Sequence, residues 1–204
     1  MSDVADLSPG KREQTKVANR QAILEAAREV FSEMGFEAAT VRDIIRRTNL
    51  SVGAFYNYYR SKEEVFDALA DDGARRFRPI LHEAALEATD FESYLRAAVG
   101  AYFNFIADDE AMYRDLPVQQ MPHARNTPEM LAVFEEVRVV FADVMDRGLA
   151  PKVDLDYLVS ACIAIAREIG DKMLERRPID VDGAVEFVVR LVLAGVNAVP
   201  RVES

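Results

Sequence analysis

The sequence predicts an all-α fold of about nine helices. Apolar residues recur at spacings of three and four along most of the 204 residues, and no stretch shows the sustained alternation of a β-strand. Hydroxyl and acidic capping residues, glycines and prolines separate the periodic segments. Half of the residues are hydrophobic, which is enough for a packed core and unlike a disordered chain.

The first helix is predicted after a flexible arm. Residues 1–14 form this arm, and the helix runs from about residue 16 to 34. Gly35 ends it, because glycine tolerates the backbone angles that follow a helix. Thr40 then caps a second helix, with Asp43 three residues later as the reciprocal cap.

A three-residue turn separates the second helix from a third. The second helix ends near residue 47, and we expect Asn49 in the turn to adopt left-handed angles. Ser51 caps the third helix, predicted over 52–58. Two short helices joined by so tight a turn predict a helix-turn-helix.

The remaining sequence predicts a larger helical domain. Ser61 caps a long helix over 62–87, which Pro79 should kink or split. The domains are therefore predicted as the arm, a three-helix unit over 15–66 and a helical domain over 67–204. Further helices are predicted at about 91–107, 108–115, 128–147, 154–176 and 180–199.

Basic residues are concentrated near the N-terminus. The chain carries a net charge of −10, yet residues 10–62 contain ten basic and six acidic residues. Residues 66–204 contain fifteen basic and twenty-five acidic residues. Nucleic-acid binding requires cations that face phosphates locally, not a basic protein as a whole. The distribution therefore permits such binding at the N-terminal end, although on charge alone a chance asymmetry is the alternative.

The third helix has an inward and an outward face. Phe55 and Tyr59, four residues apart, pack inward with Leu50, and Gly53 permits a close approach to another backbone. The outward residues are free to enter a major groove about 12 Å wide. They are Ser51, Val52, Ala54, Tyr56, Asn57 and Tyr58.

These residues carry a resemblance to a known family. The segments AILEAAREVFSEMGF and AATVRDIIRRTNLSVGAFYNYYRSKEEVF, within Gln21 to Phe66, resemble the DNA-binding domain of TetR/AcrR transcriptional regulators. The resemblance implies a homodimer that binds double-stranded operator DNA, most often as a repressor. It also implies release by a small apolar or amphipathic effector bound in the C-terminal domain.

The resemblance implies a role for each matching position. Thr40, Tyr56 and Tyr58 correspond to phosphate contacts, Arg42 to a phosphate or guanine contact and Lys62 to a backbone contact. The basic residues of the arm add phosphate or minor-groove contacts. The base-reading surface comprises Ser51, Val52, Gly53, Ala54 and Asn57.

The sequence departs from the family pattern at three positions. Asn49 replaces the usual glycine of the turn, and Val52 and Ala54 replace frequent polar residues. Apolar side chains can contact thymine methyl groups but donate no hydrogen bonds. Ser51 and Asn57, helped by Arg42, would then read polar base edges. As structural alternatives, Tyr56 and Tyr58 would cover a small core, Arg46 and Arg47 would be solvated, and Lys62 would pair with a nearby acid.

The last two predicted helices are apolar on more than one face, so each must be buried on more than one side. The family dimerises through these helices, and a twofold dimer presents two recognition helices about 34–36 Å apart, or a multiple of one DNA turn. Burial in a monomeric core is the alternative. The predicted interface residues are Leu158, Cys162, Ile165, Ile169, Phe187, Val188, Leu191 and Gly195.

The intervening helices are rich in aromatic residues, as expected of an apolar effector pocket. For each residue the alternative is ordinary core packing, and for Arg167 it is pairing with an acid. The predicted effector contacts are Tyr102, Phe105, Tyr113, Phe134 and Arg167.

No catalytic or metal motif is found in the sequence. His82 and His123 are isolated, and Cys162 lies in an apolar helix. We expect no cofactor, no metal, no membrane segment and a cytoplasmic location. Two other classes remain as hypotheses: a ligand carrier that keeps the fold without recognising DNA, and a helical enzyme. Absence of DNA binding at low salt would favour the first, and a bound cofactor the second.

Overall fold

A computed structural model describes residues 10–108, 110 and 127–202. This part of the chain contains helices and no strand, which confirms the all-α fold. Tyr113 and His123, with most of the helix predicted at 108–115, lie outside it. The helices are α1 (Lys11–Ala38), α2 (Val41–Arg46), α3 (Val52–Phe55), α4 (Lys62–Glu87), α5 (Phe91–Asp108), α6 (Pro128–Asp146), α7 (Leu155–Leu174) and α8 (Val181–Ala198).

The chain forms two compact units, and the boundary between them, at Leu69 and Ala70, lies within α4. In the first unit, α1 begins at Lys11, so the predicted arm is wrong for residues 11–14. Gly10 accepts backbone hydrogen bonds from the amides of residues 13 and 14, at 2.8 and 3.1 Å. Residues 11–15 contain no glycine or proline, so nothing in them stops the helix from starting at Gly10.

The helical course of α1 is interrupted where the sequence predicted its end. Gly35 has φ 74° and ψ 159°, a conformation that residues with a Cβ rarely adopt. The chain then continues through Phe36, whose ring centre lies 5.3 Å from that of Phe31 and 5.2 Å from that of Phe66. These rings join the end of α1 to the first turns of α4.

Buried side chains of the short helices complete the core of the first unit. Ile44 of α2 and Phe55 of α3 have no exposed surface. Tyr59, predicted to pack inward, is also buried. The helix-turn-helix is therefore held by one apolar side chain or more from each of its elements.

In the second unit, α5 packs against α7 and α8. The approach of α7 is close at Gly170, where a Cβ would lie 2.8 Å from Ile106 Cδ1 and 3.3 Å from Phe103 Cε1. Phe103 and Val189 of the α5–α8 contact region have no exposed surface. Only a glycine fits at residue 170 without moving the side chains of α5.

Pro79 does not split α4, which is a single helix from Lys62 to Glu87. Proline removes one amide donor from a helix, and Pro79 lies on the exposed side, where the freed carbonyl is open to water. Among the described helices, none is both long and apolar enough to span a bilayer.

Candidate nucleic-acid interface and effector site

A reciprocal capping box fixes the start of α2. The amide of Thr40 donates to Asp43 Oδ2 at 3.0 Å, and the amide of Asp43 donates to Thr40 Oγ1 at 3.3 Å. The Thr40 hydroxyl also donates to Asp43 Oδ2 at 2.5 Å, and this hydrogen bond lowers the pKa of the Asp43 carboxyl. Since the single hydroxyl hydrogen is occupied, the phosphate contact predicted for Thr40 requires this bond to be exchanged.

Thr48, not Asn49, builds the turn between α2 and α3. The Thr48 hydroxyl donates to the carbonyl of Ile45 at 2.9 Å and accepts from the amide of Leu50 at 3.2 Å. No residue other than glycine in the described chain has a positive φ. The expected left-handed conformation of Asn49 is therefore wrong, because the threonine side chain closes the turn instead.

The outward face of α3 is open. Ser51 Oγ accepts from the amide of Ala54 at 3.2 Å, which confirms the predicted cap. Val52 and Tyr56 are 56% and 52% exposed. Nothing lies within 4 Å of a Cβ built on Gly53, so this glycine faces open space and not the neighbouring backbone that we expected. With Ser51 and Asn57 also exposed, the predicted base-reading residues lie on one accessible surface, and Ala54 is half-buried at its edge.

Two tyrosines join the end of the recognition segment to α1. The helical hydrogen-bond pattern of α3 ends at Phe55, and Tyr56 to Tyr58 form turns. Tyr58 is half-buried, and its hydroxyl oxygen accepts from Asn19 Nδ2 at 3.1 Å. Its hydroxyl hydrogen stays available to a phosphate. The neighbouring Tyr59 hydroxyl accepts from Arg20 Nε at 3.0 Å. We had not predicted Asn19 or Arg20, because residues 39 apart give no local sequence signal.

The arginines near α3 differ in whether they already form ion pairs within the protein. Arg42 is exposed, whereas Arg46 pairs with Asp43 at 3.3 Å. Arg47 bridges to Glu29 at 3.2 Å and also to Glu33. The alternative that the last two arginines are merely solvated is therefore wrong, because both form ion pairs, and Arg42 is an exposed cation of α2.

Lys62 lies at the start of α4, and its ammonium group is enclosed by carbonyls. Nζ donates to the backbone oxygens of Phe36, Glu37 and Ala39 at 2.8, 3.2 and 3.1 Å. It also lies 4.4 Å from the centre of the Phe36 ring. The expected partners of Lys62 were a phosphate or an acid, whereas in the structure its ammonium group binds backbone carbonyl oxygens.

The predicted effector residues are partly brought together. The Phe77 ring centre lies 5.7 Å from that of Tyr102 and 5.5 Å from that of Phe105. Phe105 also lies under the Arg76 guanidinium, at 5.4 Å. Phe134 and Arg167 are half-buried. None of these residues lines the cavity described next.

A cavity of about 40 Å³ lies at the end of α4, the start of α5 and the end of α6. Tyr94, which the sequence did not single out, lines it and is only 1% exposed. Its hydroxyl is the buried side-chain polar atom in the described chain without a hydrogen-bond partner. Burial, followed by the Glu136 carboxylate, raises the pKa of this phenol, so it stays protonated. The other lining residues are Ala85, Ala88, Thr89, Asp90, Val140, Asp143, Val144, Arg147 and Leu149.

Two residues of the predicted dimer face are exposed in the described chain and two others are buried in its core. Phe187 and Leu191 of α8 are 56% and 46% exposed. Cys162 and Val188 instead belong to the chain's own core. Burial also raises the pKa of the Cys162 thiol to about 12, so the thiol stays protonated. Exposed residues that we had not predicted are Tyr157, Ala161, Ala164 and Ala194.

Comparison with known proteins gives one sequence profile and several relatives. Residues 23–69 match the family described as bacterial regulatory proteins, tetR family. The chain is 28% identical over 188 residues to the HTH-type transcriptional activator FasR of Mycolicibacterium smegmatis, covering 91% of this chain and 86% of FasR. It is 43% identical over 68 residues to the transcriptional repressor AcnR of Corynebacterium glutamicum, covering 33% of this chain and 36% of AcnR.

A solved structure shows the same fold. The transcriptional regulator FadR from Bacillus subtilis, in complex with stearoyl-CoA, superposes with a TM-score of 0.70 at 16% identity. The match covers 86% of this chain and 98% of that one. The shared architecture is an N-terminal helix-turn-helix followed by a larger helical domain.

Proposed function

Because the chain belongs to the TetR/AcrR family of transcriptional regulators, we propose that it binds operator DNA through the outward face of α3. We propose residues 15–66 as the DNA-binding domain and 67–204 as the effector and dimerisation domain of a cytoplasmic homodimer. The observation that carries the proposal is the accessible surface of Ser51, Val52 and Asn57 beside the exposed phenol of Tyr56.

The residues of this surface make two kinds of contact, with bases and with phosphates. The base-reading residues are Ser51, Val52, Gly53, Ala54 and Asn57, with thymine methyl groups opposite Val52 and Ala54. Tyr56, Tyr58, Arg42 and Thr40 contact phosphates, which position the protein without specifying sequence.

A row of α1 residues extends the phosphate-binding surface. Arg12, Lys16 and Asn19 are spaced by four and three residues, so they share one helix face. Asn19 is bonded to Tyr58, which places this face beside the recognition segment. The expected arm contacts are thus made from a helix.

Binding of the full-length protein to DNA from upstream of its own gene tests this proposal. Fluorescence anisotropy should show affinity that falls steeply as salt rises, because each phosphate contact releases counterions. Affinity for an unrelated duplex of equal length should be at least 100-fold weaker. Absence of binding to either duplex at low salt would support the carrier hypothesis instead.

We further propose an amphipathic acyl compound as the effector, bound in the second unit. Tyr94 supports this choice, since a buried hydroxyl without a partner favours a ligand that brings a hydrogen-bond acceptor. The hydroxyl hydrogen can be donated to a carbonyl oxygen, such as that of a thioester. The stearoyl-CoA of the B. subtilis FadR complex is a compound of this class.

Titration with stearoyl-CoA, coenzyme A and stearate separates the possible ligands. Only stearoyl-CoA should change DNA affinity, because it joins an apolar chain to an uncharged carbonyl. An equal effect of coenzyme A alone would assign recognition to the nucleotide part and contradict the acyl proposal.

We propose repression as the direction of regulation, relieved by the effector. AcnR, matched over 68 residues, is a repressor, whereas FasR, matched over 188 residues, is an activator. A promoter–reporter fusion should be less active when the protein is present. Higher activity would reverse the direction of regulation and leave the DNA-binding proposal intact.

A further inference from the structure

The three carbonyls bound by Lys62 all belong to the short segment in which α1 ends and α2 is about to begin. They lie between Gly35, where the helical course of α1 breaks, and Thr40, which caps α2. Carbonyls at a helix end lack intrahelical donors and need other partners. Lys62, the first residue of α4, supplies these donors from a sequence position 23 to 26 residues away.

All donors of the ammonium group are occupied. A lysine has three N–H groups and Nζ makes three hydrogen bonds, at 2.8, 3.2 and 3.1 Å. The Phe36 ring below Nζ is itself packed against Phe66 of α4, so the stem and the head of Lys62 are both held. A contact with DNA phosphate would take one of these three donors from a backbone carbonyl, either that of the exposed Glu37 or that of Phe36 or Ala39, both of them buried residues.

We propose that Lys62 is a positioning residue for DNA recognition and makes no phosphate contact. By fixing the link between α1 and α2 to the start of α4, its ammonium sets where α2 begins and hence where α3 presents its outward face. This inference rests on the proposed DNA-binding function. It reverses the role that the family resemblance implied for this lysine.

Two substitutions distinguish positioning from phosphate binding. Lys62→Met keeps the stem and removes the ammonium, and Lys62→Arg keeps the charge. A planar guanidinium directs its donors outward as a fork and cannot converge on three carbonyls around one point. Positioning therefore expects both variants to be impaired, whereas phosphate binding expects arginine to restore binding.

The probes are a duplex selected from random sequence by the wild-type protein and an unrelated duplex of equal length. Failure to select any duplex would refute the proposed function, not the role of Lys62. Binding is measured at a temperature at which circular dichroism shows every variant folded. We expect affinity for the selected duplex to fall at least tenfold in both variants. Affinity for the unrelated duplex and the slope of log K against log salt should be unchanged.

Two other outcomes would overturn the proposal. A phosphate contact would weaken both duplexes in Lys62→Met and reduce the slope by about 0.9 per phosphate, roughly 1.8 for a dimer. A role in stability alone would lower the unfolding temperature without changing the affinity of the folded variants. Lys16→Met is the matched control, because it removes one charge from an exposed site of α1. Because Lys16 is one of the phosphate contacts proposed for α1, this variant should weaken both duplexes alike and reduce the slope, while the unfolding temperature and the preference for the selected duplex stay unchanged.

Discussion

At the scale of single residues, three neighbouring tyrosine hydroxyls have different surroundings. The Tyr59 hydroxyl accepts from Arg20 inside the first unit, the Tyr58 hydroxyl accepts from Asn19 at its edge, and the Tyr56 side chain is half exposed. The spacing of Phe55 and Tyr59 predicted which face is buried. It did not predict the hydroxyl partners, which come from a helix distant in sequence.

Tyr56→Phe should weaken DNA binding without affecting stability. The lost hydrogen bond to a charged phosphate is worth about 1.5 kcal/mol or less at an exposed site, roughly a tenfold change or less in affinity. The phenol is neutral, so the salt slope should not change. Anisotropy titration measures both quantities. Tyr59→Phe is the control and should instead lower stability, since it removes the acceptor of Arg20. A stability loss in Tyr56→Phe alone would assign this residue to the core.

Tyr94→Phe tests whether the Tyr94 hydroxyl contributes to effector binding or to the stability of the fold. A buried hydroxyl without a partner costs about 1–3 kcal/mol, so its removal should leave the free energy of unfolding equal or higher. Binding of stearoyl-CoA should weaken roughly fivefold to tenfold, which corresponds to one neutral hydrogen bond. Urea unfolding and calorimetric titration give the two values. A less stable variant with unchanged acyl-CoA affinity would show that the hydroxyl has a structural role.

At the scale of elements, local chemistry predicted helix starts better than helix lengths. The caps at Thr40, Ser51 and Ser61 were predicted, because each depends on residues three positions apart. The start of α1 and the early end of α3 were not predicted. Helix propensity changes little at these positions, so contacts with the rest of the unit determine where each helix begins or ends. Asn49 drew attention as a departure from the family pattern, while the neighbouring threonine closes the turn.

Thr48→Val tests which residue builds this turn. It removes both hydrogen bonds of the hydroxyl at nearly constant volume, and should destabilise the protein by about 1–2 kcal/mol. Asn49→Ala should cost less than about 0.5 kcal/mol, because this exposed residue has a negative φ. Urea unfolding of both variants decides. The reverse order of effects would restore Asn49 as the determinant of the turn.

At the scale of the whole molecule, an acidic protein has an excess of basic over acidic residues only in residues 10–62, and exposed apolar residues on α7 and α8. The charge division and the apolar helices were both visible in the sequence. Which apolar residues face outward was not, because apolar residues on both the inward and the outward side of these helices could equally belong to the core. Phe187 is exposed, as the predicted dimer face requires, whereas the adjacent Val188 is buried in the core.

Phe187→Glu combined with Leu191→Glu should convert the proposed dimer to a monomer, because two desolvated carboxylates would oppose their symmetry mates. Sedimentation velocity measures the mass. Loss of the second DNA contact should lower operator affinity roughly 100-fold or more. Leu86→Glu, at an exposed apolar site of α4, should change neither quantity. A variant that remains dimeric would place the interface elsewhere.

In vitro selection of random duplex DNA with the full-length protein tests the central claim most directly. The account expects enrichment of one inverted repeat whose half-sites are centred one helical turn apart, or a multiple of it. Asn57→Ala should change the preferred bases within each half-site and leave the spacing unchanged. Recovery of no enriched sequence at low salt, or of the same bases with Asn57→Ala, Ser51→Ala and Val52→Ala alike, would contradict it.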